Sequence, residues 1–284
     1  MTLKEIKDRF QTELKLLFPR EEIDTFFFWI IEKEFGYSKS QTLAHSNETI
    51  SMGESIMIHG CLNRLKKSEP IQYILGEAQF CGLQFKVTKA TLIPRPETEE
   101  LVNWIATDLK KGPSTSLDLL DLGTGTGCIA ISLAKQFSTV KVTAMDVSLK
   151  ALEIAKENTN FHKVSVDFIL QDLLKTEGLP KKFDLMVSNP PYVRKSEARL
   201  MNDNVLKYEP KEALFVDDTE PFVFYLRIAQ LAKSHLKPQG VVYFEINEYL
   251  SKELIQALEK EGLKILELRQ DFFGKDRMLK CRPQ

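Results

Sequence analysis

The chain has 284 residues, 43% hydrophobic and 28% charged, the composition of a globular protein with room for one large domain and a smaller one. A formal net charge of −1 excludes a global basic field that would recruit nucleic acid. The longest strongly apolar run, Phe26-Phe27-Phe28-Trp29-Ile30-Ile31, is too short to span a membrane, and Met1-Thr2-Leu3-Lys4-Glu5 has no signal-peptide core, so a cytoplasmic location is expected.

Residues 1–71 read as a helical bundle. Leu3, Ile6, Phe10, Leu14 and Leu17 recur at the spacing of one helical face. Ile23, Phe26, Phe27, Ile30 and Ile31 repeat the pattern in a second helix, which Gly36 stops. A third helix is expected over 54–67, with Ile56, Ile58, Leu62 and Leu65 inside and Pro70 beyond its end.

From 72 to 95 the period changes. Phe80, Leu83, Phe85 and Val87, punctuated by Gly76 and Gly82, predict a β-hairpin linking two domains. Ile93-Pro94-Arg95-Pro96 is a stiff extended lead into a helix with an acidic first turn (Glu97, Glu99, Glu100), a basic last turn (Lys110, Lys111) and a Gly112-Pro113 stop. Arg95 either anchors this linker to an acidic neighbour or shapes a pocket.

Residues 96–284 form the larger domain. Strands are expected at 117–122, 141–146, 164–170, 183–188, 240–246, 263–268 and 277–281, with helices near 129–136, 149–159, 221–235 and 252–261. Such alternation implies an α/β fold with a mostly parallel sheet, helices on both faces and ligands at the carboxyl ends of the strands.

Three strand ends carry candidate ligand groups. Leu119-Leu120-Asp121-Leu122 runs into Gly123-Thr124-Gly125-Thr126-Gly127, where glycine lets a ligand lie against the backbone. The spacing is one residue shorter than a nicotinamide fingerprint, and no Gly-Lys-Ser/Thr follows, so the turn is not specialised for phosphate. Asp146 closes the next strand, where an acid bonds ribose hydroxyls or is simply solvated. Asp172, with Leu173 beside it, is placed to meet an adenine amino group or to stand as a surface acid. The edge as a whole fits a nucleoside without pyrophosphate.

The fourth strand ends in Asn189-Pro190-Pro191-Tyr192. Neither proline has an N–H, and a residue before proline leaves the α region, so the segment is stiff and extended with spare carbonyls. The Asn189 amide oxygen adds an acceptor and Tyr192 an aromatic face. Two acceptors suit the two hydrogens of a planar –NH2. The scattered cysteines (Cys61, Cys81, Cys128, Cys281) and histidines (His45, His59, His162, His235) have no ligand spacing, so no metal is expected.

With these residues the chain resembles class I S-adenosylmethionine-dependent methyltransferases, and more specifically the peptide chain release factor N5-glutamine methyltransferase family (PrmC/HemK). Further matching blocks are 70–76 (PIQYILG), 80–82 (FCG), 92–99 (LIPRPETE), Tyr208-Glu209-Pro210, Ala213-Leu214-Phe215 and Phe244-Glu245-Ile246. The resemblance implies a Rossmann-like seven-stranded domain preceded by a small helical substrate-recognition bundle and the hairpin. It implies S-adenosylmethionine as cofactor, S-adenosylhomocysteine as product, and methylation of the glutamine in the Gly-Gly-Gln motif of class 1 release factors, which modulates translation termination.

By the same resemblance the cofactor meets Gly123, Thr124, Gly125, Thr126, Gly127, Asp146, Asp172, Leu173 and Asn189. The substrate meets Asn189, Pro190, Pro191 and Tyr192, of which Asn189, Pro190 and Tyr192 act in catalysis. Tyr192 is expected to pack against the amide plane. A monomer with no nucleic-acid substrate is expected; glutamine methylation of a ribosomal protein and adenine-N6 methylation of DNA or RNA are the alternatives.

Overall fold

The computed structural model describes residues 1–112 and 116–284, so the expected stop at Pro113 lies outside the described residues. Two compact units emerge, one of 1–76 with 202–208 and one of 77–201 with 209–284.

The first unit is helical: α1 (Leu3–Leu14), α2 (Arg20–Phe35), α3 (Lys39–Ala44), α4 (Met52–Leu65) and α5 (Ile71–Leu75). Thr2, Ser38 and Ser51 open α1, α3 and α4 with reciprocal capping boxes, and Gly36 ends α2 in the left-handed region at φ 70°. Ile6, Phe10, Phe27, Ile30, Ile58 and Leu62 interlock in one core. Two expected inward positions differ. Leu17 lies beyond the end of α1, and Ile56 is 64% exposed because its side of α4 faces away from that core.

The helical unit also extends past the expected boundary at 71. Residues 71–75 are helix, not hairpin, because Arg64 clamps Glu69 through two 2.9 Å bonds and donates to the carbonyls of Tyr73 and Ile74.

In the second unit β1 (Glu77–Phe80) and β2 (Leu83–Lys86) form the expected hairpin, turned by Cys81 and Gly82, both at positive φ. It is more than a linker. Phe80 and Phe85 are fully buried in the same core as Trp104 and Ile131, and Asn158 bonds the Lys86 backbone at 2.7 and 3.1 Å.

Chain order continues through α6 (Pro96–Lys111), β3 (Leu117–Leu122), α7 (Cys128–Gln136), β4 (Val140–Asp146), α8 (Leu149–His162), β5 (Val166–Leu170), β6 (Phe183–Ser188) and β7 (Val193–Arg194). After α9 (Asp203–Tyr208), which clusters with the first unit, come β8 (Phe215–Val216), α10 (Val223–His235), β9 (Leu236–Glu245), α11 (Ser251–Lys260), β10 (Leu263–Gln270) and β11 (Asp276–Pro283).

Among the described residues the main sheet has seven strands in the order β10-β11-β9-β6-β3-β4-β5. The run from β9 to β5 is parallel, and β11 is antiparallel to both neighbours. Alternate residues serve opposite faces: Leu119, Leu185 and Tyr243 pack with α6 and α7, whereas Leu120, Met186 and Phe244 pack with α10 and α11. Both faces are covered, which explains the nearly continuous apolar runs of the parallel strands.

Candidate active site

Strand register gathers the candidate residues. Leu122 pairs with both Met145 and Ser188, and Asp146 pairs with Leu170, so the four strand ends open on one edge. Ser188 Oγ donates to the Leu122 carbonyl at 2.7 Å, and the Gly123 and Thr124 N–H groups bond the Met145 carbonyl at 2.9 and 3.0 Å. Gly123 and Asn189 therefore leave the sheet side by side.

A cavity of about 400 Å³ opens there, lined by Gly123, Thr124, Gly125, Thr126, Asp146, Asp172, Leu173, Thr98, Asn189, Pro190 and Pro191. Gly123 and Gly125 hold φ of 76° and 56°, and a Cβ on either would meet nothing within 4 Å. Their conformation calls for glycine, and the space above them is open to a ligand. Gly127 is not among the lining residues; a Cβ there would stand 2.9 Å from Ile131 Cδ1, so this glycine serves the packing of α7.

Asp146 organises the turn. Its Oδ2 accepts from Gly125 N at 2.8 Å and its Oδ1 from Ser148 N at 2.9 Å, which leaves each oxygen a further lone pair. Burial raises its pKa, against the pull of these backbone donors. Asp172 is more open and pairs with Lys175 at 3.0 Å, the hydrogen bond that lowers its pKa. Asp121, beneath the turn, is fully buried and accepts from Thr124 Oγ1 at 2.7 Å; burial pushes its carboxyl up to about 7.

The charged lining residues are Arg95, Asp146, Asp172 and Glu212, and Arg95 is already paired with Glu209 at 2.6 Å. Three acids and one committed cation repel a phosphate and suit a cationic nucleoside with ribose hydroxyls. S-adenosylmethionine fits that description: Asp146 would hold the ribose, Asp172 and Leu173 the adenine, and the glycine turn the amino-acid end.

At the Asn189 end of the cavity, Asn189 Nδ2 donates to Thr98 Oγ1 at 3.1 Å, and Thr98 Oγ1 donates to Glu245 Oε2 at 2.6 Å. Among the described residues no donor reaches the Asn189 side-chain oxygen or the Pro190 carbonyl. Tyr192 does not line the cavity as expected. Its ring packs against the β9 side of the core and its hydroxyl donates to Glu245 Oε1 at 3.0 Å. Burial first, then the Glu245 carboxylate, raise the Tyr192 pKa.

The tetrapeptide is anchored downstream as well. Asn247 Nδ2 donates to the Tyr192 carbonyl at 3.1 Å, and Val193 N bonds the Leu214 carbonyl at 3.0 Å as β7 pairs with β8. Arg277 reaches the Ile246 carbonyl at 3.3 Å and Asp271 at 3.1 Å, which places a cation next to Glu245. The Asp271–Arg277 segment supplies that support.

Thr98, Glu209 and Glu245 were visible in the sequence only as members of short blocks. Each is polar and buried or nearly so, yet its partner lies far along the chain.

A glycine turn over an acidic, phosphate-averse cavity, beside paired acceptors, defines a class I S-adenosylmethionine-dependent methyltransferase acting on an amide- or amine-type nitrogen. The family model of the methyltransferase small domain matches residues 99–214, and that of the PrmC N-terminal domain matches residues 7–76. The release factor glutamine methyltransferase of Flavobacterium psychrophilum is 45% identical over 99% of this chain and 99% of its own. The enzyme of that name from Bacteroides thetaiotaomicron is 45% identical over 81% of this chain and 84% of its own. The chain belongs to the release factor glutamine methyltransferase family. A solved structure of ribosomal protein L11 methylase from Lactobacillus delbrueckii subsp. bulgaricus is 21% identical with a TM-score of 0.49, over 70% of this chain and 84% of that one.

Proposed function

We propose that this protein transfers a methyl group from S-adenosylmethionine to the side-chain amide nitrogen of the glutamine in the Gly-Gly-Gln motif of class 1 release factors. The observation that carries the reading is a pair of acceptors lining the cavity, Asn189 Oδ1 and the Pro190 carbonyl, which no donor reaches among the described residues. A primary amide has two N–H hydrogens, and each acceptor takes one. Full-length identity to relatives named for this activity favours glutamine over an adenine base.

The bound cofactor supplies a methyl group on a sulfonium. The residues of the chain do the rest. Asn189 and Pro190 aim the amide nitrogen and favour the positive charge that grows on it during attack. Pro191 closes the wall and excludes water, while Tyr192 holds the tetrapeptide from behind. No carboxylate is needed as a base beforehand, because the amide nitrogen becomes acidic only after it is methylated. Glu245 has both oxygens engaged and stays out of proton transfer.

The helical unit of residues 1–76 is proposed to contact the release factor. In support, α4 exposes Met52, Ile56 and Met57, apolar side chains that the bundle core does not use. The proposal further takes the enzyme as a monomer in the cytoplasm, the compartment of its translation-factor substrate; among the described residues no helix is long and apolar enough to cross a membrane.

The test is incubation with methyl-labelled S-adenosylmethionine and, separately, a class 1 release factor, its Gly-Gly-Ala variant, and DNA. Label on the wild-type factor alone supports the proposal; label on DNA, or on the alanine variant, overturns it.

A further inference from the structure

We propose that Glu245 and Thr98 are positioning residues that fix which end of the Asn189 side-chain amide faces the cavity. The proposal rests on the methyl transfer just described. The oxygen and nitrogen ends of an asparagine amide have nearly the same shape, and a half-turn about the last side-chain bond exchanges them. Only the oxygen end can receive an N–H from a substrate amide. Some feature of the site has to break the tie.

Hydrogen-bond accounting identifies it. The Thr98 hydroxyl has a single proton, and that proton goes to Glu245 Oε2 at 2.6 Å, the short separation of a bond to a carboxylate. Thr98 Oγ1 then offers only lone pairs. The Asn189 end that meets it at 3.1 Å must be the nitrogen, so the oxygen is left toward the substrate. Burial raises the Glu245 pKa, against the pull of the Thr98 and Tyr192 hydroxyls and the Arg277 cation; as the carboxylate it only accepts, and in that form it sets the direction of the whole relay.

Glu245 is itself held from three sides. Its Oε1 takes the Tyr192 hydroxyl at 3.0 Å, its carbonyl takes the Tyr225 hydroxyl at 3.0 Å, and its side chain is enclosed at the end of β9. Glu245 and Thr98 are only 1% and 2% exposed, so water competes little for their hydrogen bonds. Both ends of the tetrapeptide, Asn189 through Thr98 and Tyr192 directly, therefore hang on one carboxylate.

Glu245→Gln tests the relay with almost no change of shape. The new amide keeps its oxygen on the Tyr192 hydroxyl and gives its nitrogen hydrogens to Thr98 Oγ1. The Thr98 proton is released to donate to Asn189 Oδ1, and the Asn189 nitrogen turns into the cavity. The opposite arrangement leaves the buried Tyr192 proton without a partner, which is costly. We expect kcat toward the release factor to fall about 100-fold, the scale of removing one aligned catalytic dipole, with cofactor affinity changed by less than about twofold.

The decisive readout is a change of sign. In the wild-type background Asn189→Asp sets a carboxylate oxygen against the lone pairs of Thr98. In the E245Q background the freed Thr98 proton bonds that same oxygen. N189D should therefore be about tenfold more active with E245Q than without it, a rescue no general loosening of the fold produces. An E245Q/N189D protein less active than N189D alone overturns the proposal.

Two further measurements keep the test independent of how E245Q folds. Thr98→Ser should retain kcat within about threefold and Thr98→Val should lose about tenfold or more; equal rates for T98V and wild type overturn the role. The Asn189 side-chain amide protons, followed by NMR in the protein without substrate, should exchange slowly in wild type and faster in T98V; unchanged exchange also overturns it. Failure of the wild-type enzyme to label the release factor sinks the proposed function instead, and the NMR comparison still reads the orientation.

Discussion

The guanidinium of Arg95 meets the Glu209 carboxylate at 2.6 Å, although 114 residues separate them in sequence. Glu209 also accepts the Ile93 N–H at 3.2 Å, and its side chain is 1% exposed. One buried acid thus ties the proline-stiffened lead of α6 to the segment before β8, and both segments line the cavity. Removing Arg95 strands that acid. Arg95→Ala should lower stability by about 2–3 kcal/mol in urea unfolding, less than for a fully buried pair because the arginine is partly solvated. Loss of under about 0.5 kcal/mol would show that the pair contributes nothing.

Asn189→Ala separates chemistry from cofactor binding. One acceptor disappears and the substrate nitrogen loses its aim, so most methyl transfer should go while cofactor affinity stays within about tenfold. Asn189→Asp alone should be reduced but active. Near-wild-type labelling of the release factor by the alanine variant contradicts the role given to this side chain.

Asp146 bonds Gly125 and Ser148, and in the proposed function its remaining lone pairs go to the ribose hydroxyls. Asp146→Ala should weaken S-adenosylmethionine binding by about 10- to 100-fold, from the loss of charge-assisted hydrogen bonds worth about 1.5–3 kcal/mol. Isothermal titration gives the constant directly; an unchanged constant removes Asp146 from the binding set.

Asp121 gives the protein without cofactor a pH signature. Its folded-state pKa is raised from 3.8 to about 7, because burial disfavours the charged form. The folded state therefore holds this proton more tightly than the unfolded state does. Relative to a neutral residue, the wild type is least penalised below about pH 4 and loses stability as pH rises toward 7, after which the penalty is constant. Asp121→Asn keeps an acceptor for Thr124 and removes the ionisation. The stability of D121N minus that of wild type should grow between pH 4 and 7, by up to the order of 4 kcal/mol at about 1.4 kcal/mol per pKa unit. A difference that is flat with pH overturns this assignment.

The central strands were legible because a sheet covered on both faces demands continuous apolar runs; 117–122 and 183–188 match their expected spans to the residue. The glycine turn, Asp146 and Asn189 were legible because each ends or directly follows such a strand. The five-residue α5 was not, being too short to show a helical period. The hairpin read as a linker since nothing local says that Phe80 and Phe85 are buried in the core of the second unit. Thr98 and Glu245 lie 147 residues apart, and their meeting depends on how α6 crosses β9, which no local pattern encodes. Tyr192 carried an aromatic face in the sequence, but its hydroxyl, finding Glu245, decides where the ring goes.

The placement of β11 has a consequence for how the molecule is made. This strand follows β10 in the chain yet inserts between β10 and β9, and Ile246 N reaches the Arg277 carbonyl at 2.8 Å as it does so. Until residues 276–283 have left the ribosome, β9 presents a bare edge of unpaired backbone groups, a template for pairing with the wrong chain. Arg277 arrives on the same strand, so the support beside Glu245 is installed in the step that seals the edge. A nascent chain stalled short of β11 should thus be both sticky and inert, and competence for methyl transfer should appear together with resistance to aggregation.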